Sequence, residues 1–403
     1  MRIGIDLYAF NPASSDGVST FSIGLVEGLR ECLNEENRVV ILTSTRNDKF
    51  LKDRLNSDRF EFFCVPVNPF ARYFNRLMWL LSFCFREFRL RYWYEKRFRR
   101  KLSRKIEANV DGLIVPTTVF NFFDLNIPTI LCVHDIQQEF LPENFTLHQR
   151  ALRWGSYRLS CYRAAKIQVS SAYIRNCLLE KYRFLSHEQI FFAPEGVDRS
   201  KFTPESPGIK PNFVRCVQPE KYIFYPAQIW KHKNHEYLID ALCDYKFRTG
   251  KEFACILTGS DHGHWATLEK LITQRGLESV IYLGRVDISE LVWIYKHCAA
   301  VLALGLHESS SLPIREGAAF GKPLICVDIE PNVEACDYLN INIVDQASYA
   351  TMADILIKLD EGDQLLMAAG VDNFSKIKEL EWTSIARKYV EQIGLLKRRG
   401  LGN

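Results

Sequence analysis

Short apolar runs alternate along this chain with longer segments in which apolar residues recur every three or four positions. The short runs are typical of strands buried on both faces of a parallel sheet, and the longer pattern is typical of amphipathic helices. In the first half, the pattern predicts strands at Arg2–Asp6, Val39–Thr43, Phe60–Val65, Gly112–Val115, Thr129–Val133 and Lys166–Val169. In the second half, it predicts strands at Tyr222–Pro226, Ala254–Thr258, Val280–Leu283, Ala299–Leu304, Leu324–Val327 and Ile341–Val344. Helices are predicted between strands, among others at Val18–Cys32, Ala172–Lys181, Glu236–Phe247 and Ser289–His297.

The alternation of strand and helix occurs twice, which predicts an α/β fold with two doubly wound parallel sheets. We expect one Rossmann-like domain over residues 1–203 and a second over residues 220–380. The proline-marked segment 204–219 is the predicted linker. Residues 381–403 form an amphipathic C-terminal helix that could pack on either domain, including back on the first. Two such domains facing each other would enclose a cleft, with ligands at the carboxyl ends of the strands.

A short helix is predicted directly after the strand Ala299–Leu304. Ser310 or Ser311 can cap its N-terminus, Pro313 suits its first turn, and Gly321 can end it. A helix that begins just past the carboxyl end of a strand presents free backbone N–H groups to the solvent. Such groups bind phosphate, so the sequence predicts an anion site here.

Two glutamates flank the start of this helix. Glu308 lies in the loop before it, and Glu316 lies about one turn inside it. Carboxylates accept hydrogen bonds from hydroxyl groups, so their position beside a phosphate site indicates a sugar. The alternative is a capped surface helix with two solvated glutamates.

Composition narrows the class of protein. The 403 residues suit two domains, and a hydrophobic content of 47% with 25% charged residues is typical of a globular protein. The 12 cysteines include no C-x-x-C pair, which indicates a reducing compartment and neither a disulfide framework nor a zinc site. The chain opens with a strand and no secretory signal, and its longest apolar run, Leu77–Phe85, is about half the ~20 residues that span a bilayer. We therefore expect a cytoplasmic protein.

Positive charge is concentrated between Phe70 and Lys105. Twelve lysines and arginines face two glutamates in this segment, a balance of +10, so the remainder of the chain carries about −6, since the total is +4. Eleven aromatic residues are interleaved with these charges. A basic helical stretch with aromatic residues favours the surface of an anionic membrane, and the protein would then be peripheral on its inner face. The alternatives are a structural helix with a solvated basic face and a nucleic-acid site, but no nucleic-acid motif accompanies the patch.

The spacing of the two glutamates, E-x7-E with Leu312 and Pro313 between them, resembles the signature of the retaining glycosyltransferases of family 4, which have the GT-B fold. Other segments resemble that family in the expected order. They are the loop at Asp16–Val18, the pair His134–Asp135, and the segments Pro194–Asp198, Tyr225–His235, Thr258–Ser260 and Leu283–Val286. The resemblance covers nearly the whole chain, is strong over residues 194–327, and is weak over residues 45–110.

The resemblance implies a role for each matched residue in the second domain. Lys233 would contact the donor diphosphate, although a surface lysine is the alternative. Glu316 would accept hydrogen bonds from the nucleotide ribose, and Glu308 would orient the transferred sugar. The four residues at the helix start would receive phosphate or sugar oxygens on their amides; they are Ser309, Ser310, Ser311 and Leu312.

In the first domain, the resemblance implies a contact between His134 and the donor sugar, against the alternative of a structural hydrogen bond. Asp135 matches the family as part of the pair His134–Asp135, and the alternative to a functional role is a structural one in a turn or helix cap. Gly17 would let the first loop approach the donor phosphates closely. Gln228 stands where the family usually has an arginine, which halves the side-chain charge available to the diphosphate. Three serines also replace glycines after Glu308.

The activity implied is that of a retaining, metal-independent hexosyltransferase without a cofactor. The resemblance is greatest to bacterial surface-polysaccharide mannosyltransferases, such as those of lipopolysaccharide O-antigen, which favours GDP-mannose as the donor. The acceptor would be a lipid-linked sugar, an oligosaccharide or a growing polysaccharide, and no nucleic acid is expected as a partner. Two alternatives remain: a GT-B sugar-nucleotide epimerase or phosphorylase, and a non-catalytic subunit that binds nucleotide-sugar in a polysaccharide synthesis complex.

Overall fold

The chain forms two compact units. A computed structural model describes residues 1–12, 17–34, 36–67, 69–98, 100–212, 218–398 and 400. Unit 1 comprises Met1–Gly196 and Trp382–Asn403, and unit 2 comprises Val197–Glu381. Among the described residues, no helix is long and apolar enough to cross a membrane.

Unit 1 is built on a seven-stranded parallel sheet with strand order β3-β2-β1-β4-β5-β6-β7. The strands are β1 (Arg2–Asp6), β2 (Arg38–Ser44), β3 (Phe60–Val65), β4 (Gly112–Val115), β5 (Thr129–Val133), β6 (Lys166–Val169) and β7 (Ile190–Phe192). The helices before unit 2 are α1 (Gly17–Cys32), α2 (Asp48–Arg54), α3 (Pro69–Cys84), α4 (Leu90–Phe98), α5 (Arg100–Glu107), α6 (Leu147–Arg163) and α7 (Ala172–Lys181). Short 3-10 turns occur at Gln137–Glu139, Pro142–Asn144 and His187–Gln189.

Unit 2 is built on a six-stranded parallel sheet with strand order β10-β9-β8-β11-β12-β13. The strands are β8 (Tyr222–Pro226), β9 (Ala254–Thr258), β10 (Val280–Tyr282), β11 (Ala300–Ala303), β12 (Leu324–Val327) and β13 (Ile341–Val344). The helices are α8 (His235–Thr249), α9 (Trp265–Gln274), α10 (Ile288–His297), α11 (Leu312–Ala319), α12 (Glu330–Ala335), α13 (Tyr349–Asp360) and α14 (Gln364–Lys376), with 3-10 turns at Lys231–Lys233 and Ile377–Leu380.

The predicted fold class is confirmed, because both sheets are parallel, Rossmann-like and doubly wound. The central strands are buried on both faces, as the apolar runs indicated; Ile3 and Ile5 of β1, for example, are fully buried. The short edge strand β7 was not predicted. The basic segment is helical, as expected, and forms the three helices α3, α4 and α5.

The last helix, α15 (Trp382–Arg398), packs on α1 within unit 1. The Trp382 indole lies over Gly24 of α1, where a Cβ would overlap the ring, and its edge contacts Phe21 at 5.2 Å between ring centroids. The packing therefore depends on the absence of a side chain on α1.

The observed boundary between the units, at Gly196 and Val197, is earlier than the predicted one at residue 203. The backbone N–H of Val197 donates to the Leu380 carbonyl at 2.8 Å within unit 2. The Phe202 side chain is buried against Tyr295 of α10 and Phe320. The chain thus joins the core of unit 2 before the predicted linker, of which residues 213–217 lie outside the described residues.

Candidate functional site

The loops that follow β8 and β11 hold an ion pair. The strand order of unit 2 reverses between these two strands, so their carboxyl ends form the topological switch point at which doubly wound sheets bind ligands. Lys233 follows β8, Glu308 follows β11, and the Lys233 ammonium pairs with the Glu308 carboxylate. Both side chains are mostly buried. Two residues that the sequence analysis assigned to one site therefore meet.

The backbone holds Lys233 in this position. Residues Lys231–Lys233 form a 3-10 turn, and Asn234 then adopts a left-handed conformation with φ of 59°, which asparagine tolerates better than most residues. The Tyr225 hydroxyl donates to the Lys233 carbonyl at 2.5 Å. Burial, and after it the charge of Glu308, raise the pKa of Tyr225, so the phenol stays protonated as a donor.

Glu308 lies against the backbone of its own loop. A Cβ on Gly305 would overlap the Glu308 carboxylate, so this close approach requires a glycine. The Leu306 N–H donates to the His232 carbonyl at 2.9 Å, which joins the loop after β11 to the loop after β8. These contacts fix the separation of the lysine and the glutamate.

The N-terminus of α11 is not capped as the sequence suggested. Ser311 occupies the N-cap position, but its side chain makes no capping hydrogen bond, and Pro313 lies in the first turn as predicted. Ser310 does not cap the helix either, because it lies one residue before the N-cap, and its hydroxyl accepts a hydrogen bond from the Arg315 guanidinium at 2.6 Å. The first-turn N–H groups of α11 are therefore not satisfied by a Ser311 cap, which leaves them suited to an anion.

Arg315 is a site residue that sequence reasoning did not identify. It is buried, and it donates to the Ser311 carbonyl at 3.1 Å and to the Tyr338 hydroxyl at 3.1 Å. These hydrogen bonds stabilise the position of the loop Ser309–Ser311 before α11. Its only sequence signal was its place next to Glu316 inside the E-x7-E spacing.

Glu316 lies about one turn into α11, as predicted, and is half-buried. One of its oxygens accepts a hydrogen bond from the Tyr295 hydroxyl at 2.6 Å. Burial raises the pKa of Tyr295 well above its usual value, and the charge of Glu316 adds to the effect. The tyrosine thus remains a donor that orients the carboxylate.

Gln228 is committed to an aromatic pair. Its side-chain oxygen accepts from Trp230 Nε1 at 2.8 Å and from His262 Nε2 at 3.0 Å. The Trp230 and His262 rings stack at 4.0 Å with an interplanar angle of 11°. Neither ring was singled out as a site residue, because the pair forms only when the loops after β8 and β9 meet.

A tight approach brings these two loops together. Gly259, just after β9, has a φ of 131°, and a Cβ there would overlap the carbonyl of Ala227. Asp261 then accepts hydrogen bonds from the N–H groups of Gly263, His264 and Trp265, which lower its pKa. The His262–His264 segment is therefore an ordered turn that starts α9.

His235, the first residue of α8, is buried beside Lys233, and it was not predicted. Burial, and then the nearby charges of His264 and Lys233, lower its pKa to about 3. The imidazole is accordingly neutral near pH 7, and it packs on the Tyr225 ring at 4.9 Å. The positive charge at this position comes from Lys233.

In unit 1, His134 directly follows β5. Its Nε2 lies 2.9 Å from the Pro116 carbonyl, and because a carbonyl only accepts, Nε2 carries the proton. The edge of Phe21 packs on the imidazole at 4.7 Å. The Asp135 carboxylate accepts from the Gln137 N–H at 3.4 Å in a turn. Gly17 is the exposed first residue of α1, and Asp16 lies outside the described residues.

Asp6, at the carboxyl end of β1, is a buried carboxyl group that sequence reasoning did not identify. It accepts hydrogen bonds from the Tyr8 N–H at 3.0 Å and from the Asn121 side chain at 3.1 Å. Burial nevertheless dominates and raises its pKa to about 6. The carboxyl end of a central strand is the edge of a parallel sheet at which functional groups are commonly found.

The family model of "Glycosyl transferases group 1" matches residues 211–370. This segment is a glycosyltransferase group 1 domain. It contains the Lys233–Glu308 ion pair, Gln228, the start of α11 and Glu316. His134 and Gly17 lie outside the match. No curated protein matches the sequence.

Solved structures resemble the whole chain. The Anabaena protein Alr3699/HepE in complex with UDP and glucose has 16% sequence identity and a TM-score of 0.69, over 98% of this chain and 100% of that chain. A glycosyltransferase from Rickettsia africae ESF-5 has 16% identity and a TM-score of 0.68, over 98% of each chain. Sucrose-phosphate synthase from Thermosynechococcus elongatus has 14% identity and a TM-score of 0.68, over 99% of each chain. At these identities, the likeness shows the fold, which is GT-B.

Proposed function

We propose that this protein is a retaining glycosyltransferase that moves a hexose from a nucleotide-sugar to a lipid-linked or polysaccharide acceptor. The observation that carries the proposal is the Lys233–Glu308 ion pair at the switch point of a group 1 domain. A cation for a diphosphate and a carboxylate for sugar hydroxyls are thereby held beside a helix N-terminus suited to an anion.

In the proposed donor complex, Lys233 moves from Glu308 to the diphosphate and neutralises the charge that develops on the leaving group. The amides of Ser309 to Leu312 bind phosphate or sugar oxygens. Preorganised donors of this kind are worth roughly 10²–10³ in rate each. Since the lysine and the helix supply the positive charge, we expect no requirement for a metal ion.

The two glutamates bind different parts of the donor. Glu308, released from Lys233, accepts hydrogen bonds from hydroxyls of the transferred sugar. Glu316 accepts from the ribose hydroxyls, and the bond from Tyr295 keeps its carboxylate in place for that contact. Hydrogen bonds to a charged group contribute roughly 1.5–3 kcal/mol, so loss of Glu316 should act mainly on donor affinity.

Gln228 contributes less to the diphosphate than an arginine would. Its side-chain oxygen accepts hydrogen bonds from Trp230 and His262. Its uncharged NH2 group is the part of the side chain that could donate a hydrogen bond to the diphosphate. We infer that Gln228 mainly orients the Trp230–His262 pair at the edge of the site.

Retention of configuration requires the acceptor hydroxyl to attack from the face that the leaving group vacates. We propose that a donor phosphate oxygen takes the proton of that hydroxyl, while the protein positions both substrates. For His134 we keep the role that the resemblance implies, a contact with the donor sugar. Its proton on Nε2 is bound to the Pro116 carbonyl, so Nδ1 is the atom that could accept from a hydroxyl.

The donor is a nucleoside diphosphate hexose, and two candidates follow from different observations. The resemblance to polysaccharide mannosyltransferases favours GDP-mannose. The similar structures of the Anabaena protein contain UDP, UDP and glucose, or UDP-glucose, which makes UDP-glucose the second donor to test. We place the reaction on the inner face of a membrane, where a lipid-linked acceptor would be present.

Donor hydrolysis by the purified protein tests the activity. Release of GDP or UDP from the sugar conjugates should occur in the wild type and be lost in Glu308→Ala, whereas Lys270→Ala, an exposed lysine of α9, should behave like the wild type. Nucleotide binding without any turnover would instead favour a non-catalytic subunit that binds nucleotide-sugar.

A further inference from the structure

Helix α3 has one face fixed in the core of unit 1. Trp79 and Ser82 are buried, and the Trp79 ring lies on Gly155 of α6, where a Cβ would overlap it. Phe83 contacts the edge of Trp154, also on α6, at 5.8 Å. These contacts set the rotation of α3 about its axis, so the opposite face must point away from α6.

The opposite face of α3 is also apolar, and it is exposed. Phe74, Leu77, Leu80 and Cys84 lie within about a third of the helix circumference, at the spacing of one helical stripe. Leu77 has a relative exposure of 52%, and Phe85, which follows the helix, has 72%. A continuous stripe of exposed leucine and phenylalanine side chains is typical of a surface that binds a protein or a membrane.

Helix α4 exposes an aromatic side chain and two cations. Trp93, Lys96 and Arg97 are exposed and share one helical face at i, i+3 and i+4. The Tyr94 ring contacts Phe74 at 4.5 Å, which joins α4 to the start of α3.

The buried side of α4 makes its position rigid. Arg91 and Glu95 form a buried ion pair at 2.7 Å, and Glu95 also accepts the Phe123 N–H at 2.8 Å. A charged pair that is hydrogen-bonded in the core holds the helix in one orientation.

Helix α5 supplies most of the charge. Ser103 and Ile106 are buried, so the helix packs on unit 1 through one side. The residues on its other side are exposed and basic: Arg100, Lys101, Arg104 and Lys105.

We propose that the exposed sides of α3, α4 and α5, here called the docking face, bind the surface of an anionic lipid membrane. The apolar stripe of α3 and Trp93 enter the headgroup region, and the cations of α4 and α5 contact lipid phosphates. This inference rests on the proposed function in one respect, because it assumes that the glycosyl transfer takes place at the membrane.

Charge and chemistry favour a lipid surface over other partners. A second copy would bring two segments of +10 together, which repel each other. Nucleic acid would match the cations but offers no hydrocarbon layer into which Leu77 and Leu80 could insert. An anionic membrane offers phosphates at its surface and hydrocarbon directly beneath them.

Sedimentation with vesicles tests the docking face. Vesicles of phosphatidylcholine mixed with phosphatidylglycerol should bind the wild type, and vesicles of phosphatidylcholine alone should bind it much more weakly. Two variants should each weaken vesicle binding about tenfold or more. They are Leu77→Gln/Leu80→Gln and Lys96→Gln/Arg97→Gln/Lys101→Gln. The matched controls are Phe247→Gln/Leu365→Gln, which are exposed apolar residues of unit 2, and Lys270→Gln/Lys358→Gln. Both controls should bind like the wild type.

Four outcomes would overturn the inference. The first three are a wild type that does not sediment with anionic vesicles, variants that bind as tightly as the wild type, and a DNA duplex that binds the wild type and Leu77→Gln/Leu80→Gln equally well while vesicles do not. A dimer in gel filtration that Leu77→Gln/Leu80→Gln dissociates would assign the face to a second copy instead.

Melting temperatures with and without UDP or GDP, measured on the same samples, separate this question from the donor site. Nucleotide binding by unit 2 should persist in every variant.

Discussion

Lys233 and Glu308 neutralise each other at the position where the proposed donor would place its diphosphate and its sugar. A nucleoside diphosphate without sugar must therefore compete with Glu308 for the lysine and gains nothing from the carboxylate. The two residues should then respond in opposite directions to substitution, which distinguishes a ligand site from a structural ion pair.

Glu308→Gln should raise the affinity for UDP or GDP about three- to tenfold, because the lysine loses its competitor. The same variant should lower sugar transfer at least tenfold, because the sugar loses its charged acceptor. Calorimetric titration with each nucleotide measures the first effect, and a transfer or hydrolysis assay measures the second. Lys233→Gln is the matched control and should weaken nucleotide binding. Weaker nucleotide binding by Glu308→Gln would contradict the assignment.

Asp6 gives a prediction about pH. Its pKa is raised from 3.8 to about 6 in the folded protein, so between these values the unfolded chain ionises while the folded chain stays protonated. The free energy of unfolding therefore falls as the pH rises through this interval. Asp6→Asn should remove that loss and stabilise the protein at pH 7 by roughly 1–3 kcal/mol, with little difference from the wild type below about pH 4. Urea unfolding at both pH values measures the difference, and equal stability of Asp6→Asn and the wild type at pH 7 would contradict the raised pKa of Asp6.

The sequence predicted the principal charged residues of unit 2 but not their supports. Lys233, Glu308 and Glu316 could be found because their spacing resembles a known motif. The Trp230–His262 pair forms only where two loops distant in sequence meet, and the burial of Arg315 and His235 depends on the packing of the folded unit, so residue spacing does not indicate these residues. The sequence left Ser310 and Ser311 open as the N-cap of α11; Ser311 occupies that position, and the Ser310 hydroxyl accepts from Arg315.

At the scale of elements, the packing of α15 on α1 gives a stability prediction. A Cβ on Gly28 would overlap the backbone carbonyl of Trp382, which cannot move aside as a flexible side chain could. Gly28→Ala should therefore lower the free energy of unfolding by about 1–3 kcal/mol.

Gly394→Ala is the matched control, because Gly394 lies within α15 and a Cβ there meets open space. This substitution should raise the free energy of unfolding by about 0.5–1 kcal/mol through helix propensity. Thermal or urea unfolding of both variants measures the difference. Equal stability of the two would mean that α15 does not pack on α1 as described.

Element boundaries differ in how clearly the sequence marks them. The strands buried on both faces, such as β1 and β9, begin and end at the predicted residues, because a short apolar run bounded by polar residues is typical of such strands. The three-residue strand β7 is too short to give a pattern. The sequence does not mark the break between α3 and α4, because Arg86 adopts a left-handed conformation there, with φ of 53°, without the glycine that usually marks such a position.

At the scale of the whole molecule, the chain passes between its two units twice, at Gly196–Val197 and at Glu381–Trp382. Unit 2 carries the group 1 match and the proposed donor site, and unit 1 carries His134 and the docking face. Nucleotide binding and membrane binding can therefore be measured in the same protein, with variants that affect one and leave the other unchanged.

The central claim is that unit 2 binds a nucleotide-sugar, and a thermal-shift screen tests it most directly. The purified protein would be heated with UDP, GDP, dTDP and CMP, and with their common sugar conjugates. We predict that one nucleotide stabilises the protein, by about 2.7 kcal/mol at a hundred times its Kd, and that Glu316→Ala loses this stabilisation. If no nucleotide or conjugate shifts the melting temperature at millimolar concentration, the donor site is wrong, and the function proposed for the Lys233–Glu308 pair is wrong with it.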